Sequence, residues 1–290
     1  MLFTDYCLRK MTDADLAPSK PIQLIADGGI HRYQVDGDRN GTLNGWYVLH
    51  DNSVLICGSW KTDQRLVVHN QDQAGFNVED RATRKKKIAE AQAVSERKKR
   101  ELHNRVARRV QKEWDNAEPA DLLHPYLFSK QVPPYGIRQK GDALLIPLRD
   151  AKGKLWSLQY IKPDGSKWFA KGGRVTGLFH LLGSIDDRVY FAEGYATAAT
   201  LHKHCGTTIA VAFNAGNLRN AARELLTLHT DVQLVFAADN DRHTKGNPGL
   251  TKAMGAAEAL GGSVIWPDFP DGVEGTDYCD LLLNGGAVHG

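Results

Sequence analysis

Closely spaced cysteines are missing from this 290-residue chain: Cys7, Cys57, Cys205 and Cys279 are its four, and none has a CxxC partner. A structural zinc site takes four Cys or His ligands, usually as close pairs, so neither a zinc ribbon nor a disulfide framework is expected. His31, His50 and His69 offer Cys7 and Cys57 only a scattered set, and zinc is not expected as a cofactor. No apolar run approaches the ~18 residues of a membrane span, which excludes a membrane-spanning protein. The start MLFTDYCLRK has no apolar core behind a basic lead, so no signal peptide is expected and the default location is cytoplasmic. No GxxxxGK[ST] occurs, which excludes a P-loop motor in this chain.

Composition is that of a soluble globular protein, 42% hydrophobic and 24% charged, with a length suited to roughly two domains. The net charge of +3 hides a division: −4 over residues 1–80, +9 over 81–113, +3 over 114–188 and −5 over 189–290. Four stretches follow from this and from the hydrophobic pattern. Residues 1–79 read as a small β-rich module, with β-type runs at 22–26, 30–35, 45–50 and 53–58 separated by turn residues. Its Arg32, Trp46, Trp60 and Lys61 are candidates for stacking bases and holding phosphates, though aromatics in a small β-module also serve as core.

Residues 80–118 read as a basic helical linker. Proline and glycine are absent from Asp80 to Trp114, strong helix formers dominate, and the cations, Lys85, Lys86 and Lys87 among them, suit either a solvated helix or one that touches phosphates. Residues 119–188 read as a basic β-rich subdomain with strands at 143–148, 155–161 and 167–170. Arg138, Lys140, Lys167, Lys171 and Arg174 are its candidate single-stranded nucleic-acid contacts, interleaved with Trp156, Tyr160 and Trp168.

Residues 189–290 alternate strand and helix, which predicts a largely parallel sheet flanked by helices with ligands at the carboxyl ends of its strands. Along that edge lie Glu193 after the first strand, Asp239 and Asp241 after the third, and Asp277 and Asp280 after the fourth. Crowded carboxylates repel unless cations sit among them, and all-oxygen ligation suits Mg²⁺ or Mn²⁺. Asn247-Pro248-Gly249 predicts a helix start, where His243 and Lys245 are candidate contacts to a nucleotide phosphate. His202 and His204, on the helix after Glu193, have no facing ligand pair and read as surface or packing residues.

The segment EGYATA at 193–198, the DND at 239–241 and the acidic TDYCD at 276–280 together resemble the Toprim catalytic domain. More specifically they resemble the DNA primases of conjugative plasmids, satellite phages and related mobile elements, in which EGYATA is characteristic. The resemblance covers about residues 120–285, because the strands before it look like the basic subdomain that precedes Toprim in bacterial-type primases. It implies an α/β Toprim fold and template-directed primer synthesis by two-metal nucleotidyl transfer with Mg²⁺ or Mn²⁺. The implied partners are a single-stranded DNA template and NTPs, with a replicative helicase as a further candidate. It implies Glu193 as general acid/base and Asp239, Asp241 and Asp277 as metal ligands; with the acidic rim this gives Glu193, Asp239 and Asp241 as candidate catalytic residues and Glu193, Asp239, Asp241, Asp277 and Asp280 as the candidate metal set. The chain departs from replicative primases in lacking a zinc ribbon and in carrying Thr197 where an aspartate is frequent. Rival functions are a Toprim nuclease, which would use the same acids with water as nucleophile, and a non-catalytic single-stranded-DNA-binding accessory protein. A topoisomerase would need a further domain carrying a strand-passing tyrosine.

Overall fold

The computed structural model describes residues 2–62, 64–70, 78–270 and 272–286; between 78 and 95 it describes side chains only at 89 and 92–94, so Lys85, Lys86 and Lys87 lie outside the described side chains. The chain divides into two compact units, Met1–Arg97 and Lys98–Gly290. The boundary falls inside the basic helix rather than at either of its ends.

The first unit opens with a helix ahead of the β-type runs, α1 (Phe3–Asp13). Phe3, Tyr6, Cys7 and Met11 recur at helical spacing and all four are buried. They share a core with one face of an antiparallel sheet of β1 (His31–Tyr33), β2 (Gly45–His50), β3 (Val54–Ser59) and β4 (Arg65–His69), paired in that order. Residues 22–26 form no strand. Two of their backbone groups meet the Tyr47 hydroxyl, which accepts from Ile25 N and donates to Gln23 O. Cys7 and Cys57 are part of this core, and burial pushes both thiols up to about 12.

In the second unit, α2 (Val78–Asp115) reaches an antiparallel sheet of β5 (Glu118–Pro119), β6 (Arg138–Lys140), β7 (Ala143–Arg149), β8 (Leu155–Ile161) and β9 (Lys167–Phe169), with α3 (Pro125–Lys130) between β5 and β6. From Ala143 to Leu148 every residue of β7 is buried, because the strand is covered on both faces. Leu145 packs with Val106 and Val110 of α2, whereas Leu144, Ile146 and Leu148 belong to the core of the following α/β layer.

That layer runs β10 (His180–Leu182), β11 (Arg188–Ala192), α4 (Tyr195–Cys205), β12 (Ile209–Val211), α5 (Leu218–Leu226), β13 (Gln233–Ala237), α6 (Pro248–Leu260), β14 (Ser263–Ile265) and α7 (Tyr278–Leu283). Its sheet order is β10-β12-β11-β13-β14, parallel except for the β10 edge. Residues of α4 and α7 join one core, and those of α5 and α6 join the other, where Phe191 and Phe236 meet at 5.7 Å. From β11 the chain crosses to β12 on one side and returns to β13 on the other. The strand order therefore reverses at β11, which opens a crevice beyond its carboxyl end.

The edge strand β10 comes from the stretch read as part of the preceding subdomain, and the two layers share one hydrophobic core. Tyr195, fully buried, donates its hydroxyl to Pro133 O across them. Asn217 pins the same junction: its Nδ2 serves Val175, Leu178 and Ala212 carbonyls and its Oδ1 accepts from Gly177 N.

Candidate active site

Glu193 is the first residue beyond β11, and Asp239 and Asp241 follow β13, its parallel neighbour, so adjacency in the sheet delivers all three to the crevice. Asn240 accounts for the alternation in Asp-Asn-Asp. Its side chain donates to Pro267 O and accepts from Asn247 Nδ2, and its backbone N–H donates to Thr276 O. The two flanking aspartates are thereby turned the other way, toward Glu193. Gly249, at the start of α6, closes the cluster: a Cβ there would stand 3.1 Å from Glu193 Oε1, 3.0 Å from Asp241 Oδ2 and 2.7 Å from Asp239 O. Its own N–H donates to Asp241 Oδ2 at 2.9 Å.

The electrostatics record the crowding. Burial, and then the charge of Asp241, push Glu193 up to about 7 against a backbone hydrogen bond from Ala215. Burial and the charges of Glu193, Asp277 and Asp241 push Asp239 up to about 8. Glu193 Oε1 and Asp239 Oδ1 are buried without a hydrogen-bond partner among the described residues, as is Asn247 Oδ1. Buried orphan oxygens, two carboxylate and one amide, fit a hard divalent cation. Among the described residues, no three Asp, Glu, His or Cys side chains are drawn close enough to enclose an ion by themselves.

Residues 188–287 match the Toprim domain family. This part of the chain is a Toprim domain. Over 264 residues the chain is 36% identical to a DNA primase TraC of Escherichia coli, across 86% of this chain and 25% of that protein. A second DNA primase TraC of Escherichia coli is 34% identical over 267 residues, 84% of this chain and 18% of the relative. The chain thus spans a quarter or less of the length of these curated relatives. Among solved structures, the primase fragment of the bacteriophage T7 primase-helicase protein aligns over 55% of this chain and 69% of its own, with a TM-score of 0.43 at 16% identity. The DnaG primase catalytic domain bound to ssDNA aligns over 65% and 79%, with a TM-score of 0.43 at 11% identity.

The remaining acids of the Toprim domain are held differently. Asp277 caps α7, its Oδ1 accepting from Asp280 N, while its Oδ2 accepts from the Thr197 hydroxyl at 3.1 Å. Thr197 thus supports Asp277 where an aspartate would repel it. Asp280 does not join the crevice cluster: Oδ1 pairs with Lys130 Nζ at 3.2 Å and Oδ2 accepts from Thr276 N. Its proximity in sequence to Asp277 gives no sign of this, because the partner comes from α3 of the preceding layer. His243 and Lys245 are exposed, and His243 Nε2 accepts from Arg242 Nε. Asn240, Asn247 and Gly249 are the contributors that sequence reading missed as site residues. The N-P-G helix start was the one signal that pointed to two of them.

The basic candidates divide. Lys167, on β9, keeps an exposed surface, but its ammonium stands within the fields of Asp277 and Asp239, and desolvation of that charge lowers its pKa against their pull. Arg138 is turned inward, donating to Trp114 O at 2.6 Å and lying 5.0 Å from the Trp114 ring, so it closes the C-terminus of α2. Arg174 pairs with Glu224 and covers Trp156. Lys140 pairs with Glu113 at 3.0 Å. Lys171 is exposed, and its carbonyl accepts from Arg109. In the first unit, Lys61 is paired with Asp38 at 2.6 Å and Arg32 donates twice to Leu43 O. Among the described residues no helix is long and apolar enough to cross a membrane.

Proposed function

We propose that the chain is a template-directed DNA primase that makes short primers on single-stranded DNA in the replication of a plasmid, phage or other mobile element. The observation that carries this is the alignment with DNA primase TraC over 86% of the chain, which takes in the basic β-rich layer together with the Toprim domain. A Toprim nuclease would need the acids alone.

In this reading a primer 3′-oxygen forms a bond to the α-phosphorus of an incoming NTP, and the bond to pyrophosphate breaks. Glu193, Asp239 and Asp241, with Asp277 beside them, would hold Mg²⁺ or Mn²⁺, which would neutralise charge on the phosphoryl oxygens and favour ionisation of the attacking hydroxyl. Glu193 is raised to about 7 in the metal-free site, and in this reading it would take up the proton that the attacking hydroxyl loses. Lys167, within the fields of Asp277 and Asp239, would meet phosphate oxygens entering the crevice. Asn240 and Asn247 hold the aspartate loop against the start of α6, so the carboxylates stay aimed while substrate exchanges.

Incubating the protein with single-stranded DNA, labelled NTPs and Mg²⁺ or Mn²⁺ should give short oligomers. Asp239→Asn and Asp241→Asn should each give none, with single-stranded DNA affinity within about twofold of wild type. Cut template without oligomers would replace the primase reading with the nuclease one, and wild-type product from either variant would refute the site.

A further inference from the structure

The four strands of the first unit contain no carboxylate, although residues 1–80 carry a net charge of −4. Their charged side chains are Arg32 and Arg65, joined by His31, His50 and His69. Strand register shows where the arginines lie. Arg32 pairs with Trp46, Trp46 with Gly58 and Gly58 with Arg65, so one row across all four strands carries an arginine at each end and an indole between. The next row on that face is Val48, Ile56 and Val67. Tyr33, Tyr47, Leu49, Leu55 and Val68 point to the opposite face, in the core with α1.

The Arg32 face is open. Trp60 is 60% exposed and Val67 is 44% exposed. Gly58 lets the Trp46 indole lie against the sheet, since a Cβ there would come within 2.8 Å of Trp46 Cζ2. Trp60 tilts over Trp46 with centroids 5.5 Å apart at 34°. The Arg65 side chain has no hydrogen bond or ion pair among the described residues, whereas Lys61, close in sequence, is committed to Asp38.

We infer that this open sheet face binds single-stranded DNA, with a base stacked on Trp60, which Trp46 backs, and phosphates met by Arg65 and by the Nη1 group of Arg32, whose Nε and Nη2 are held by Leu43 O. Flat indoles between cations, with no acid on the strands, match the two chemical faces of an unpaired strand, and duplex DNA hides the base faces that such plates need. A protein segment seated on Val48, Ile56 and Val67 would leave Arg65 without a role. The inference deepens the primase reading by giving the template a second contact outside the Toprim domain, yet its test does not depend on primer synthesis.

Anisotropy of a labelled oligo-dT with the full chain supplies the test. Trp60→Ala should weaken binding about tenfold, from the ~1–3 kcal/mol that stacking contributes per base. Trp60→Phe should stay within about threefold of wild type. Arg65→Glu should weaken binding and flatten the log–log salt slope by about 0.7, one phosphate on a single strand. The oligonucleotide should also quench tryptophan emission less in Trp60→Ala than in wild type, with unchanged melting temperature showing that the fold is intact. Asp239→Asn should bind as wild type does, which separates this result from the catalytic one. Wild-type affinity and salt slope in both Trp60→Ala and Arg65→Glu, or equal affinity for a blunt duplex, would overturn the inference, the former being what a protein-docking face would give.

Discussion

Gly249 offers the sharpest test of the acid cluster, because it changes the site without touching a charge. In Gly249→Ala the added carbon would stand 2.7 Å from Asp239 O, inside any real Cβ contact, with Asp241 Oδ2 and Glu193 Oε1 at 3.0 and 3.1 Å. The first neighbour is backbone, so relief requires shifting either the aspartate loop or the first turn of α6 by roughly half an ångström. Misplacement of about 1 Å at a reacting centre costs about 10²-fold in rate, so a loss of about 10- to 100-fold is expected. Stability should barely change, because alanine gains about 0.5–1 kcal/mol over glycine in a helix and this offsets strain. Gly255 is the control: it lies in the same helix with nothing within 4 Å of its Cβ position, so Gly255→Ala should keep full activity and melt about 2–4 °C higher. The assay is single-turnover primer synthesis at saturating NTP and single-stranded DNA, with Mn²⁺ affinity measured in parallel. Wild-type rate and Mn²⁺ affinity in Gly249→Ala would refute the convergence of Glu193, Asp239 and Asp241 at the start of α6.

Glu193→Gln should lower the rate by about 10²–10⁴-fold, the span for losing a positioned acid or base, and a change under threefold in single-turnover synthesis would assign Glu193 to structure. The raised carboxyls also set a pH dependence. With folded values of about 7 for Glu193 and about 8 for Asp239 above unfolded values of 4.5 and 3.8, their contribution to stability is full below about pH 4 and is lost as pH rises through 7 to 8. Metal-free protein should therefore melt lower at pH 8.5 than at pH 6, with Mg²⁺ or Mn²⁺ restoring more at pH 8.5 and Glu193→Gln flattening the profile; melts that rise over this range would contradict it. Asn217→Ala leaves buried carbonyls and the Gly177 N–H unpaired, which should cost on the order of 3 kcal/mol and lower the melting temperature by about 6–12 °C. A loss below 2 °C in calorimetry would show that the junction does not depend on it.

Local pattern sufficed wherever one chain segment carried its own signal. The βα alternation after Arg188, the proline- and glycine-free basic helix and the turn-bounded hairpin of β7 and β8 are all legible as short-range periodicity, and the acids could be placed at strand ends because parallel sheets gather loops on one edge. The helix α1 went unread despite its spacing, since a short amphipathic run before any turn signal looks like irregular chain until a sheet covers it. The apolar run of β7 does not say which of its faces meets α2 and which meets the Toprim domain. Charges were the least legible of all. Arg138 and Arg174 read as ligands for phosphate because sequence counts a cation without its partner; the carbonyls that end α2 and the carboxylate of Glu224 come from distant segments. For the same reason Asp280 was grouped with Asp277, though Lys130 claims it, and Lys167 could not be seen to face Asp277 and Asp239. Residue type and spacing determined which chemistry this chain carries, while the partner of each ionised group, and hence its freedom to meet a ligand, was decided by tertiary structure, because electrostatic pairing depends on distance in space and the sequence records only distance along the chain.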